Sequence, residues 1–378
     1  MNESQKNLIT QVCEMIYDIK KTTFEDEERN KLLVFNLQNY IQRFLPGACL
    51  QLFGSSSNGF GFRDSDLDIC FTLKNRTDEI DYRDIIIAHL TYELRRCPMV
   101  RYVVPVPTAK VPIIKFSFKY VNKEADFSLF NDLAVYNTKL LSTYCKIDSR
   151  VQKLGYVVKY FAKVCYICDA SRGGLSSYAY ILMLIYYLQQ RDPPVIPVLQ
   201  ELYDHSQASP VRIVQGWNTW FYEDIDNLPN VWPDYKKNTE SLAELWLGFL
   251  KFYTEIFSKK LFVICIRRHA PLTRLEKNWY WKVENSIAIE DPFDLSHNLG
   301  GATRKMNDFI FSTFRTSYEH FRAETNVNEP NAILEHYFNK KLLTNDKSAP
   351  IKKICKKCLR LDHVTKECPR RNRENFYM

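Results

Sequence analysis

No stretch of this chain is apolar for long enough to cross a bilayer. The longest such run, YAYILMLIYYL at 178–188, has eleven residues, where about 20 are needed. The first twenty residues, MNESQKNLITQVCEMIYDIK, are charged throughout and lack the apolar centre of a secretory signal. Internal repeats and low-complexity segments are absent too, which argues against a solenoid or a fibre. Eleven cysteines without a secretory signal point to free thiols in a reducing compartment, not to a disulfide framework. A cytoplasmic location with no membrane partner is therefore expected. Cys165 and Cys168, in VCYICDA, have the spacing of a metal pair. They fall in an amphipathic helical pattern with no second pair nearby, and they read as ordinary core cysteines.

At 378 residues the chain is too long for one ordinary core, so two or three domains are expected. Its 46% hydrophobic and 25% charged residues are those of a folded protein. The net charge of +8 is uneven: residues 351–378 hold nine Lys or Arg against three acids, which leaves +6 there. By charge alone that run is either a solvated tail or a contact for a polyanion. Residues 4–45 read as two helices. From Cys49 to about Leu133 strands dominate: LQLF, LDICFTL, YVVPV, KVPIIKFSFKY and EADFSLF, with a helix at 82–96 and a hairpin spacing, VNK, before the last. Beyond about Asn137 the pattern is mainly helical to Phe321, with strand-like pieces at 260–268 and 279–291.

The segment LFGSSSNGFGFRDSDLDICFTL at 52–73 sets Asp66 and Asp68 two residues apart in a strand pattern. Alternation puts both carboxylates on one face, where like charges destabilise each other unless a cation lies between them. Asp126 is the acid in the middle of EADFSLF. If that strand pairs beside 66–73, three carboxylates converge on one sheet face. Three oxygen donors suit Mg²⁺ or Mn²⁺ more than zinc. Upstream, GSSSNG lies where a strand gives way to a helix, and such a turn can hold phosphate on backbone N–H groups and hydroxyls. Phosphate turn, carboxylates and sheet together describe nucleotidyl transfer by a two-metal mechanism. Lys159 and Lys163 are four apart and share a helix face, a spacing that also fits a solvated basic stripe.

The string G-S-x-x-N-G-x-G-x-x-x-S-D-x-D resembles the DNA polymerase β-like nucleotidyltransferases. Its wording here, with DASRGGLSSYAYILMLIYYLQQRDPPVIPVLQ at 169–200, NTESLAELWLGFLKFYTEIF at 238–257 and IEDPFDLSHNLGG at 289–301, is similar to the cytoplasmic CCHC-zinc-knuckle terminal uridylyltransferases. These belong to the poly(A) polymerase and uridylyltransferase branch, and the resemblance covers roughly residues 5–325. It implies an α+β fold: a polymerase β-like palm inserted in a mostly helical domain. Asp66, Asp68 and Asp126 fall on the catalytic, metal-binding positions, with Asp126 near the primer 3′-hydroxyl. Phe53, Gly54, Ser55 and Ser56 fall on the UTP-binding turn, Lys159 and Lys163 on the phosphate clamp. Ser177 becomes a phosphate ligand, Tyr178 the platform under the base, and Asn131 a contact to ribose and base; Asp132 stands where the family often has threonine. His297 matches the histidine that selects uracil: an imidazole N–H suits the O4 acceptor of uracil and opposes the amino group of cytosine. Asp291 and Asp294 are expected to orient its loop.

The tail carries Cys355, Cys358, His363 and Cys368 in a C-x2-C-x4-H-x4-C spacing. Three thiolates and one imidazole suit a closed, structural zinc site. It resembles a retroviral-type knuckle, a module for single-stranded RNA. Leu359 and Asp362 replace frequent glycines there and Val364 an aromatic, so contact mainly through phosphates is expected. The expected organisation is N-terminal helices at 1–46, a catalytic domain at 47–136 and a helical domain at 137–330. A linker at 331–350 and the knuckle at 351–378 follow. The expected activity is template-independent addition of UMP from UTP to single-stranded RNA 3′ ends, with Mg²⁺ or Mn²⁺, structural Zn²⁺, a monomeric chain and room for recruiting proteins. An ATP-using poly(A) polymerase of the same branch and an inactive RNA-binding scaffold are the alternatives.

Overall fold

The structure, a computed structural model, describes residues 2–74, 83–107, 111–121, 123–279, 286–325, 327 and 329–350. The zinc knuckle expected at Cys355, Cys358, His363 and Cys368 lies outside the described residues. In chain order the first elements are α1 (Glu3–Lys20), α2 (Phe24–Ile41), β1 (Ala48–Phe53), β2 (Leu67–Leu73), α3 (Arg83–Arg96), β3 (Val100–Val106), β4 (Ile113–Phe118) and β5 (Lys123–Leu129). Then come α4 (Asp132–Ile147), α5 (Ser149–Val164), α6 (Ser177–Gln189), β6 (Ile213–Val214), β7 (Trp217–Asn218) and α7 (Leu228–Val231). The last are α8 (Leu242–Lys251), β8 (Phe262–Val263), β9 (Leu272–Thr273), α9 (Arg304–Arg322), α10 (Pro330–Tyr337) and α11 (Lys340–Thr344).

The chain divides into two compact units, residues 18–152 with 203–225, and residues 1–17 with 153–202 and 226–378. The first is built on a five-stranded sheet in the order β1-β2-β5-β4-β3. β2 and β5 run parallel, and the other pairs are antiparallel. Alternation sends Leu67, Ile69 and Phe71, Ile114, Phe116 and Phe118, and Ala125, Phe127 and Leu129 to one face. There they pack with Val34, Leu37 and Ile41 of α2 and Ile87, Leu90 and Leu94 of α3. Because α2 seals this core, the unit takes in residues 18–46, which were expected with the helical domain. A capping box starts α2: Thr23 Oγ1 accepts from Asp26 N–H, and Thr23 N–H donates to the Asp26 carboxylate.

The second unit is mostly helical. Its centre is α6, the apolar run noted above, in which every residue from Ala179 to Gln189 is buried. Trp246 of α8 lies among Phe161, Phe249 and Phe321. Helix content is lower than expected between 190 and 241, where turns and the short β6–β7 hairpin prevail. The strand-like piece at 260–268 supplies β8, and Ile289 forms a bridge with Ile264 beside it. Cys165 and Cys168 follow the end of α5 and do not lie within it. Both are free thiols, as are the other six described cysteines.

Candidate active site

The candidate residues fall into two sets, one on each unit. On the sheet, parallel pairing sets Asp68 directly beside Asp126, and antiparallel pairing sets Lys115 on the other side of Asp126. Phe53 pairs with Asp68 at one end of this row. The row lies on the sheet face opposite α2 and α3. Asp66 stands one residue before β2. Burial first, then the charges of Asp126 and Asp66, push the Asp68 carboxyl up to about 7, against the Ser55 N–H that bonds it. Asp66 is raised as well, by partial burial and by Glu124 and Asp126.

Gly54 turns the chain out of β1 into a single 3₁₀ turn, Gly54–Ser56. Its φ of +66° belongs to the left-handed region, and a β-carbon there would meet Asp68 Oδ2 at 2.1 Å. Only glycine lets this turn lie against the carboxylate. Gly54 N–H donates to Thr138 Oγ1 at 2.8 Å, and Ser56 Oγ donates to the Phe53 carbonyl at 2.9 Å. The loop before Asp66 is held by Arg63: its Nε donates to Asp26 Oδ2 at 2.9 Å, its N–H to the Lys20 carbonyl, and Lys123 Nζ donates to its carbonyl. Asn131 follows β5 at the start of α4 and makes no capping bond with its side chain. Gln215 Nε2 holds its neighbours, the Phe130 carbonyl and Asp132.

The donor set around Asp68 fits a hard divalent cation: all oxygen, negatively charged, and costly to keep ionised without a counter-charge. As they stand, no three His, Cys, Asp or Glu side chains close around one point among the described residues. Asp126 instead receives the Lys115 ammonium, at 3.0 and 2.7 Å to its two oxygens.

On the other unit, Lys159 is buried and Lys163 exposed, one turn apart on α5. Ser176, not Ser177, caps α6, accepting from Ala179 N–H, so Ser177 and Tyr178 form its first turn. Tyr178 donates a long 3.4 Å bond to Asp291 Oδ2. Asp291 Oδ1 accepts from Phe293 and Asp294 N–H, each at 3.0 Å, and its own N–H donates to the His297 carbonyl. Tyr178 on α6 is thus tied to the loop that carries Asp291 and the half-buried His297. Behind them Glu290, 1% exposed, receives Arg267 at 2.7 Å, Lys277 and the Cys265 thiol. Sequence reasoning passed over Glu290, Lys115 and Thr138. Such a residue carries no signal of its own; its partners lie in other segments of the chain.

Residues 9–146 match the family model described as poly(A) RNA polymerase, mitochondrial-like, central palm domain. Residues 241–297 match the Cid1 family poly A polymerase model. The chain belongs to the Cid1 family of poly(A)/poly(U) polymerase-like nucleotidyltransferases. Terminal uridylyltransferase 4 of Mus musculus is 46% identical over 377 residues, 99% of this chain. Terminal uridylyltransferase 7 of Homo sapiens is 46% identical over 97% of it. The chain spans 23% and 24% of those two relatives. Poly(A) RNA polymerase GLD2 of Rattus norvegicus is 31% identical over 86% of the chain, which spans 66% of it. Among solved structures, Cid1 poly(U) polymerase with Mg and 3′-dATP superposes with a TM-score of 0.75 at 29% identity, over 87% of this chain and 98% of that one. Cid1 with the UTP analog UMPNPP gives 0.75 at 28%, over 88% and 99%. The polymerase β-like fold and its mixed α/β content follow from this Cid1-family match.

Proposed function

We propose that this chain transfers UMP from UTP to the 3′ end of an RNA strand, without a template and with release of pyrophosphate. The observation that carries the reaction class is the row Asp68–Asp126 against the Gly54 turn. The choice of UTP rests on 46% identity to uridylyltransferases against 31% to a poly(A) polymerase, and on His297. Mg²⁺ or Mn²⁺ held by Asp66, Asp68 and Asp126 would supply positive charge where the transferring phosphate becomes more negative. Asp126 orients the attacking 3′-hydroxyl. The turn Phe53–Ser56 offers N–H groups and hydroxyls to phosphate oxygens, and on the other unit Ser177, Lys159 and Lys163 offer a hydroxyl and two ammonium groups to such oxygens. Asn131 contacts ribose and base. Tyr178 stacks beneath the uracil, and an N–H of His297 meets its O4.

The tail is proposed to fold around Zn²⁺ through Cys355, Cys358, His363 and Cys368 and to grip single-stranded RNA by its phosphates. A monomer in a reducing, cytoplasmic setting, with recruiting proteins choosing the RNA, completes the reading. Pyrophosphate release from each of the four nucleoside triphosphates with a generic RNA primer tests it. Release that needs RNA and divalent cation, and is greatest with UTP, is expected. Release independent of RNA would contradict it.

A further inference from the structure

Lys115 has no part in the roles assigned above. It stands mid-strand on β4, where Ile114, Phe116 and Phe118 turn into the core and Lys115 turns to the carboxylate face. In register it is the next residue after Asp126, and Asp126 the next after Asp68. Its side chain is 53% exposed and that of Asp126 31%, so the pair adds little to stability. The face changes sign along this row. β1 and the Gly54 turn lie beyond Asp68 at one end, and Lys115 lies at the other. One pair along, Ser117 faces Arg101, whose Nε has no hydrogen-bond partner among the described residues.

This ordering has a chemical consequence. The triphosphate belongs at the Gly54 end of the row, and the attacking 3′-hydroxyl at Asp126. The strand that carries this hydroxyl must then leave on the β4 side, with its last phosphodiester one ribose away. We propose that Lys115 binds the 3′-terminal phosphodiester of the RNA strand while keeping Asp126 turned toward the 3′-oxygen; this rests on the RNA-transfer reading. An ammonium has three donors, enough for the carboxylate and a phosphate oxygen together.

Binding without UTP tests it, read by anisotropy of a labelled oligoribonucleotide with the full chain and Mg²⁺. A second oligonucleotide carries a neutral methylphosphonate at its last linkage. Lys115→Met should weaken binding of the ordinary strand and flatten the log–log salt slope by about 0.7, the value for one phosphate contact on a single strand. Neutralising the linkage should weaken the parent by a similar factor and leave Lys115→Met unchanged. Lys115→Arg should retain most of the affinity. Additive losses in a parent that binds would overturn the contact alone; a parent that binds neither strand would overturn the reading beneath it.

Discussion

Gly54 leaves no room for a β-carbon against Asp68: an added carbon would stand 2.1 Å from Oδ2. Gly216 provides the control, since its φ is +82° but nothing lies within 4 Å of its missing carbon. Alanine at either position meets the left-handed backbone penalty of about 1–2 kcal/mol. Only Gly54→Ala also displaces Asp68, and misplacement by an ångström can cost about a hundredfold in rate. Melting curves and kcat should therefore separate the two variants. Equal kcat for Gly54→Ala and Gly216→Ala would contradict the role of this turn.

The Asp68 carboxylate is buried beside like charges, so its function and its stability pull in opposite directions. Without divalent cations Asp68→Asn should melt no lower than the parent. Adding Mg²⁺ or Mn²⁺ should raise the melting temperature of the parent and not of the variant. Transfer by the variant should fall at least about a hundredfold. A variant that Mg²⁺ stabilises as much as the parent would remove Asp68 from the ligand set.

Glu244 opens α8 with Ser241 and pairs with Lys6 at 2.8 Å. The Lys6 bond first, then the Ser241 N–H and hydroxyl, hold its carboxyl down at about 2, below the ordinary 4.5. A lowered folded value means that its stabilisation is complete above the ordinary value and fades as pH falls toward 2. The melting temperature of Glu244→Gln should lie below that of the parent at neutral pH. The gap should close across that acid range. A gap independent of pH would assign the effect to the cap alone.

Residues 351–378 carry nine of the basic side chains. Their removal should weaken RNA binding and make it less salt-dependent, because fewer counterions are released. Single-nucleotide addition to a saturating primer should persist. An unchanged salt slope after removal would point to a protein partner for this tail.

Much of the sheet was legible because its signals are local. The period-two pattern of β4 and β5 and the three-residue VNK connection foretold their hairpin. The carboxylates of Asp66 and Asp68 were visible from spacing. The pairing of Asp68 with Asp126 required a parallel strand order that alternation alone cannot choose. Lys115 was invisible for the same reason: a lysine in an alternating strand reads as solvated until the register names its neighbour. The path from 190 to 241 is less helical than its pattern suggests. It is held by side-chain bonds to the main chain, such as Asn238 to Pro193 and Arg212 to Thr219, which leave no periodicity. The division of the first 46 residues depended on which core α2 covers, and its apolar stripe fits a sheet as well as a helix bundle.

The most direct test of uridylyl transfer is kcat/KM for UTP, CTP and ATP on one RNA primer, in the parent and in His297→Ala. Its loop, tied through Asp291 to Tyr178, should survive the substitution, since His297 contributes main-chain bonds there. The carboxylates proposed to hold the divalent cation stay intact, so chemistry should continue. A site that matches polar groups discriminates far better than one without them. The parent should prefer UTP, and the variant should lose UTP efficiency and gain relative use of ATP or CTP. A parent that prefers ATP, or a variant with the parent's UTP preference intact, would contradict the account.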